Sequence, residues 1–193
     1  MFVKICGLTN LEDTVAAADA GAQAVGFNFV PSSPRYIEEN TLAEWIDFVP
    51  AHLWKVGVFA NEPKARVKAM CERLGLQVAQ LHGNESPAEV PSSMRVWKAA
   101  RVRAGFDPAS LDAFKTEAVL LDGPASGVTF NWSAIRFNGR SVILAGGLDV
   151  NNVRDAIHAV QPWGVDVCSR IETSPGRKDK KLMTQFIEAA LSC

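Results

Sequence analysis

The sequence predicts an α/β fold, a single (β/α)8 barrel over residues 1–193, and three observations carry that expectation. Short β-rich runs alternate with amphipathic stretches along the whole length, the pattern of βα units around a parallel sheet. Eight such units can be counted, which suits a closed barrel better than an open doubly wound sheet of about five or six strands. Glycine and polar residues collect where the runs end, the mouth at which such barrels carry their chemistry.

The strands are expected at Val3–Cys6, Ala24–Phe29, Trp54–Phe59, Val78–Leu81, Arg95–Ala99, Ala118–Leu121, Val142–Leu144 and Gly164–Val167. Helices are expected at Leu11–Ala20, Leu42–Phe48, Pro63–Leu74, Asp107–Phe114, Val150–Val160 and Lys180–Leu191, where apolar residues recur at helical spacing. Asn61-Glu62-Pro63 reads as a cap with an early proline, and Gly21 and Gly75 read as helix stops. The fourth and sixth units, around Pro87–Val90 and Trp132–Phe137, leave room for a turn or two. At 193 residues the chain lies just under the usual barrel minimum of about 200, so its loops must be short.

Composition narrows the function. With 48% hydrophobic residues the chain can bury a full core, yet no apolar run approaches the roughly 20 residues of a membrane span. The N-terminus lacks the features of a signal peptide, so a soluble, cytoplasmic protein is expected. A net charge of −1 with interspersed signs offers no dense basic face for nucleic acid or membrane. Cys6, Cys71, Cys168 and Cys193 show neither Cys-x-x-Cys nor zinc-ligand spacing and are read as reduced thiols, with no metal site.

Residues at the strand ends are the candidates for chemistry. Cys6 closes the first strand; it is either a small buried hydrophobe or a catalytic thiol that needs a nearby cation to ionise. Lys4, on the same strand face, could supply that cation or could be the buried partner of Asp166 or Asp122. Asp122 ends the apolar run Ala118–Leu121, where burial would favour the protonated form of a general acid; capping the next turn is the bland alternative. Asp166 lies inside a strand and must find a partner, a substrate hydroxyl or a structural cation. Gly146-Gly147 precedes a helix and forms either an anion-binding nest or a tight turn.

In combination, Lys4-Ile5-Cys6-Gly7, Pro31-Ser32-Ser33-Pro34-Arg35, Gln80-Leu81-His82-Gly83-Asn84-Glu85, Leu120-Leu121-Asp122, Ala145-Gly146-Gly147, Val165-Asp166-Val167 and Pro175-Gly176-Arg177-Lys178-Asp179 resemble the phosphoribosylanthranilate isomerases nearly end to end. The resemblance implies a TIM barrel of the ribulose-phosphate-binding type and a cofactor- and metal-free Amadori rearrangement in tryptophan biosynthesis. It assigns Asp122 as general acid on the furanose ring oxygen and Cys6 as general base at C2′. It assigns Arg35 to the anthranilate carboxylate, which its planar fork suits. His82 and Asp166 are expected to contact substrate, and Gly146, Gly147, Ser169 and Arg170 to bind phosphate. The expected partner is a small-molecule phosphosugar, on a monomer or homodimer.

Two departures from the family pattern stand out. The loop after Asp122 is shorter than usual and lacks a lysine, which bears on closure of the site. Arg170 stands where the family has glycine, and could reach phosphate by its side chain, obstruct the nest, point to water, or be strained if its φ is positive. The altered loops would also suit a barrel isomerase for another phosphosugar, or a non-catalytic phosphometabolite-binding barrel. Retention of both Cys6 and Asp122 speaks against the latter, and Cys6 disfavours the histidine-pathway isomerase, which uses two aspartates.

Overall fold

The computed structural model describes residues 1–132 and 139–193. Its eight parallel strands close in chain order: β1 (Phe2–Cys6), β2 (Ala24–Asn28), β3 (Trp54–Phe59), β4 (Val78–Leu81), β5 (Arg95–Arg101), β6 (Ala118–Asp122), β7 (Ser141–Leu144) and β8 (Gly164–Val167). The ring is sealed where β8 pairs with β1, placing Lys4 opposite Asp166. Around it run α1 (Leu11–Asp19), α2 (Glu39–Ala43), α3 (Lys64–Leu74), α4 (Val153–Val160) and α5 (Lys180–Leu191). Between β8 and α5 an antiparallel hairpin, β9 (Glu172–Ser174) and β10 (Arg177–Lys178), folds against the mouth. Among the described residues no helix is long and apolar enough to cross a membrane.

Strand alternation separates two apolar shells. Val3 and Ile5 face outward to a helix-packed core that includes Phe27, Leu42, Leu121 and Phe186. Inward lie Ala24, Val56, Val78, Ala99, Leu120 and Ile143. The barrel floor is plugged by Phe2, Trp54, Trp97 and Trp163; Phe2 stacks on Trp163 with centroids 4.4 Å apart. This aromatic plug leaves the opposite end of the barrel as the place for a ligand.

Several expected elements shift for local reasons. The helix expected at Leu42–Phe48 divides into α2 and a 3-10 turn at Ile46–Phe48, because Trp45 leaves helical geometry and packs edge-on against Phe27. The Asp107–Phe114 helix is only a 3-10 turn at Pro108–Leu111, capped by Asp107. Arg140 there donates to the Leu111 and Phe114 carbonyls at 2.6 and 2.9 Å, taking acceptors that a continuing helix would need. The helix expected from Val150 begins at Val153, after a turn in which Asn152 Oδ1 accepts from Asp149 N and Asp149 Oδ1 accepts from Asn151 N. In the fourth unit a 3-10 turn, Pro87–Glu89, is closed by a Ser86/Glu89 capping box. The turn expected at Trp132–Phe137 lies, beyond Trp132, outside the described residues.

The two glycine stops hold: Gly75 ends α3 at φ +58, and Gly21 follows α1 at φ +98. Asn61 does not cap α3. Pro63 occupies the cap position, and Asn61 Oδ1 instead accepts from Asn84 N at 2.7 Å, tying the β3 loop to the β4 loop.

Candidate active site

At the C-terminal mouth of the strands lies a cavity of about 370 Å3. All nine sequence-predicted site residues line it: Cys6, Arg35, His82, Asp122, Gly146, Gly147, Asp166, Ser169 and Arg170. They come from six strand ends and their loops, which the barrel brings to one place.

On the β1 side, Lys4 Nζ donates to Asp166 Oδ1 at 2.7 Å, both side chains being buried. Burial alone would push Lys4 down, but the charges of Asp166 and Cys6 hold it above the ordinary lysine range. Burial pushes Asp166 up to about 7 against the pull of Lys4, with the Cys6 charge adding to the rise. Gly26, opposite Cys6 on β2, leaves room for this group: a Cβ there would stand 2.9 Å from Cys6 Sγ and 3.0 Å from Lys4 Cε.

Cys6 lies well below its ordinary thiol range. A hydrogen bond from Cys168, with the ammonium groups of Lys4 and Lys178, overcomes the burial that opposes ionisation. Cys168 moves the opposite way, held protonated by that same bond and by burial. Lys4 partners Asp166, the structural reading, and its charge also acts on Cys6.

Across the mouth, Asp122 accepts from Gly123 N at 2.8 Å through Oδ1, while Oδ2 lies 3.3 Å from His82 Nε2. That bond to Gly123 N is the turn-capping role, and it leaves the second oxygen in the cavity. Asp122 is only partly buried, its side chain 21% exposed. His82 Nδ1 is 3.3 Å from Gln80 Nε2, and the buried Gln80 Oε1 has no hydrogen-bond partner among the described residues. The His82 loop is fixed from behind: Lys98 Nζ donates to Gly83 O at 2.7 Å and to Glu85 Oε2 at 2.8 Å, while Glu85 accepts from the Asn61 and Gly83 amides. A Cβ on Gly83 would fall 2.6 Å from Asn61 N, so this packing requires glycine.

Gly146 and Gly147 adopt φ +81 and +67, and the β6 loop lies directly on them. A Cβ on Gly147 would stand 2.7 Å from Thr129 N, and one on Gly146 2.0 Å from Gly123 N. The diglycine therefore serves close backbone approach by the shortened loop. Arg170 has no positive φ, so the strain conditional on one does not arise. Its Nη2 donates to Gly127 O at 2.8 Å and fastens that loop to the β8 end.

Sequence reasoning missed Arg101, Gln80 and the group behind Arg35. Arg101 lines the cavity and pairs in register with Asp122, because β5 runs two residues past its expected end. Extending the inward alternation of Trp97 and Ala99 would have found it. Arg35 grips Glu172, with Nε 3.0 Å from Oε1 and Nη2 2.7 Å from Oε2, a pairing across 137 residues that no local pattern announces.

Fold and site together define a (β/α)8-barrel enzyme whose mouth holds a thiol shifted below its ordinary range and a carboxyl in one cavity. The chain belongs to the N-(5'-phosphoribosyl)anthranilate isomerase family, whose model matches residues 3–189. It is 46% identical over 196 residues to the N-(5'-phosphoribosyl)anthranilate isomerase of Solibacter usitatus, covering 98% of this chain and 97% of that one. Among solved structures, the Thermus thermophilus phosphoribosyl anthranilate isomerase superimposes with TM-score 0.91 at 34% identity, covering 100% of this chain and 99% of that one. A phosphoribosyl anthranilate isomerase in complex with reduced 1-(o-carboxyphenylamino)-1-deoxyribulose 5-phosphate gives TM-score 0.87 at 35% identity, with both chains fully covered (100%).

Proposed function

We propose that Cys6 and Asp122 carry out the isomerisation of N-(5-phosphoribosyl)anthranilate to 1-(2-carboxyphenylamino)-1-deoxyribulose 5-phosphate, the tryptophan-biosynthesis reaction of this family. The observation that carries the reading is the opposition of a lowered-pKa thiol at the end of β1 and a carboxyl at the end of β6 in one cavity. Asp122 gives a proton to the furanose oxygen as its bond to C1′ breaks, opening the sugar to a protonated Schiff base. Cys6 thiolate takes the C2′ proton, and the electron pair moves to the imine, giving an enolamine that tautomerises to the ketone. His82, with Nε2 3.3 Å from Asp122 Oδ2, stands beside the acid and contacts substrate.

Arg35 takes the anthranilate carboxylate and Asp166 the sugar hydroxyls. Gly146, Gly147 and Ser169 receive the phosphate, with Arg170 at its edge. We also place the enzyme in the cytoplasm, a reading supported by its four free cysteines.

The test follows the loss of anthranilate-sugar fluorescence as substrate, made in situ from anthranilate and phosphoribosyl pyrophosphate, is consumed. Turnover by the wild type that drops about 10²–10⁴-fold in both Cys6→Ser and Asp122→Asn supports the assignment. Turnover unaffected by either change would discard these roles, and a folded wild type without turnover would point to another phosphosugar.

A further inference from the structure

The hairpin β9–β10 carries a second group that faces the site from behind. Glu172 accepts from Arg35 side-on, through Nε and Nη2, so the end-on edge of the guanidinium, Nη1 with the remaining Nη2 proton, is left for a ligand in the cavity Arg35 lines. A pair of this kind alone is neutral and attracts an anion weakly. Lys178 changes that balance. Its Nζ, with a side chain 0% exposed, donates to Glu172 Oε1 at 2.9 Å and to the Cys168 carbonyl at 3.1 Å. Asp13 anchors its backbone, accepting from Lys178 N at 2.9 Å.

Both cations act on the shared carboxylate. Burial would push Glu172 up, but the hydrogen bonds and charges of Arg35 and Lys178 hold it below the ordinary carboxylate range. Glu172 thus stays ionised and its grip on Arg35 stays charge-assisted. Among these three side chains two cations face one carboxylate, and the surplus positive charge is shared between the cavity edge of Arg35 and the Cys6 thiol that Lys178 also faces.

We infer that Lys178 and Glu172 are positioning residues for substrate recognition: Glu172 fixes the guanidinium edge-on, and Lys178 offsets Glu172 so that Arg35 retains a net positive charge for an aromatic carboxylate. This rests on the reading that Arg35 takes the substrate carboxylate. It assigns a task to the β9–β10 hairpin, which lies outside the barrel sheet and contributes no strand to it.

The experiment measures equilibrium binding, without turnover, of two ligands to the intact protein: reduced 1-(o-carboxyphenylamino)-1-deoxyribulose 5-phosphate and its phenylamino counterpart lacking the carboxylate. Lys178→Met is expected to weaken the first about tenfold and the second less than twofold. Adding Glu172→Gln to Lys178→Met restores the surplus charge and should recover most of that loss. A lysine that only supports the fold would weaken both ligands alike, with or without its partner.

Equal weakening of both ligands, or no recovery in the double variant, overturns the inference. If Lys178→Met does not fold, Glu172→Gln alone is compared with the double variant; the double should bind the carboxylated ligand about tenfold more weakly, and equal binding overturns the inference. Arg35→Met separates the two levels of the argument. If it leaves the preference for the carboxylated ligand intact, the assignment of Arg35 itself fails; if it abolishes the preference while Lys178→Met does not, only the role of Lys178 fails.

Discussion

Lys4 Nζ stands 2.7 Å from Asp166 Oδ1 across the β1–β8 seam, and the same ammonium is a source of the positive field at Cys6. One buried cation therefore does two things: it gives an intra-strand carboxylate the partner it must have, and it favours ionisation of a thiol two residues along its own strand. The register that closes the barrel, Lys4 opposite Asp166, is what makes this possible.

Replacing Lys4 with methionine keeps its volume and strands Asp166. Breaking a buried pair from one side costs about 3–5 kcal/mol, so Lys4→Met should lower the urea midpoint accordingly. An unfolding free energy within about 0.5 kcal/mol of wild type, the range of neutral surface changes, would show that the pair does not hold the seam.

The cysteines should separate by pH. Cys6 is shifted down, chiefly by its bond from Cys168, whereas burial pushes Cys71 up to about 12. In iodoacetamide labelling followed by mass spectrometry, Cys6 should react at pH values where Cys71 does not, and Lys4→Met should move the Cys6 profile to higher pH. For a base that must be ionised, kcat/KM falls as pH drops through the lowered Cys6 value. Cys71 has the opposite linkage: its contribution to stability is full below the unfolded thiol value of about 8.5 and is lost as pH rises toward 12. Cys71→Ala should flatten the alkaline decline measured by urea unfolding between those limits.

Lys98 and Glu85 lie outside the cavity yet control it through the His82 loop. Lys98→Met leaves Glu85 buried without its cation and should destabilise the fold by about 3–5 kcal/mol. Glu85→Gln retains the amide contacts in part, so its loss should be smaller. Equal losses in the two variants, read from denaturant midpoints, would contradict this division of labour.

Arg170→Ala removes the bond to Gly127 that fastens the β6 loop. Amide hydrogen exchange over residues 123–129 should quicken, by roughly tenfold for a net bond of about 1.4 kcal/mol, while α5 exchanges as before. Unchanged exchange in the loop would mean that the diglycine contact alone holds it.

The barrel was legible in the sequence because each strand announces itself locally, as a short apolar run ending in polar or glycine residues. Its C-terminal ends located the cavity for the same reason. Helix bounds were less legible: Trp45 and Arg140 stop helices by reaching Phe27 and the Leu111 and Phe114 carbonyls, contacts made only once the chain has folded.

Pairings decide the rest. From sequence alone, Lys4 could answer to Cys6, Asp166 or Asp122, and only the register of β8 against β1 selected Asp166 while leaving Cys6 within its field. Arg35 was identifiable as an anion-binding residue, but its grip on Glu172, and the Lys178 that offsets Glu172, came from a hairpin far along the chain. The sequence by itself determined the fold and which residues reach the mouth, since strand period and strand ends are local properties. The tertiary structure determined the ionisation of Cys6 and the orientation of Arg35, since charge–charge interactions and burial depend on distances that only the closed barrel sets.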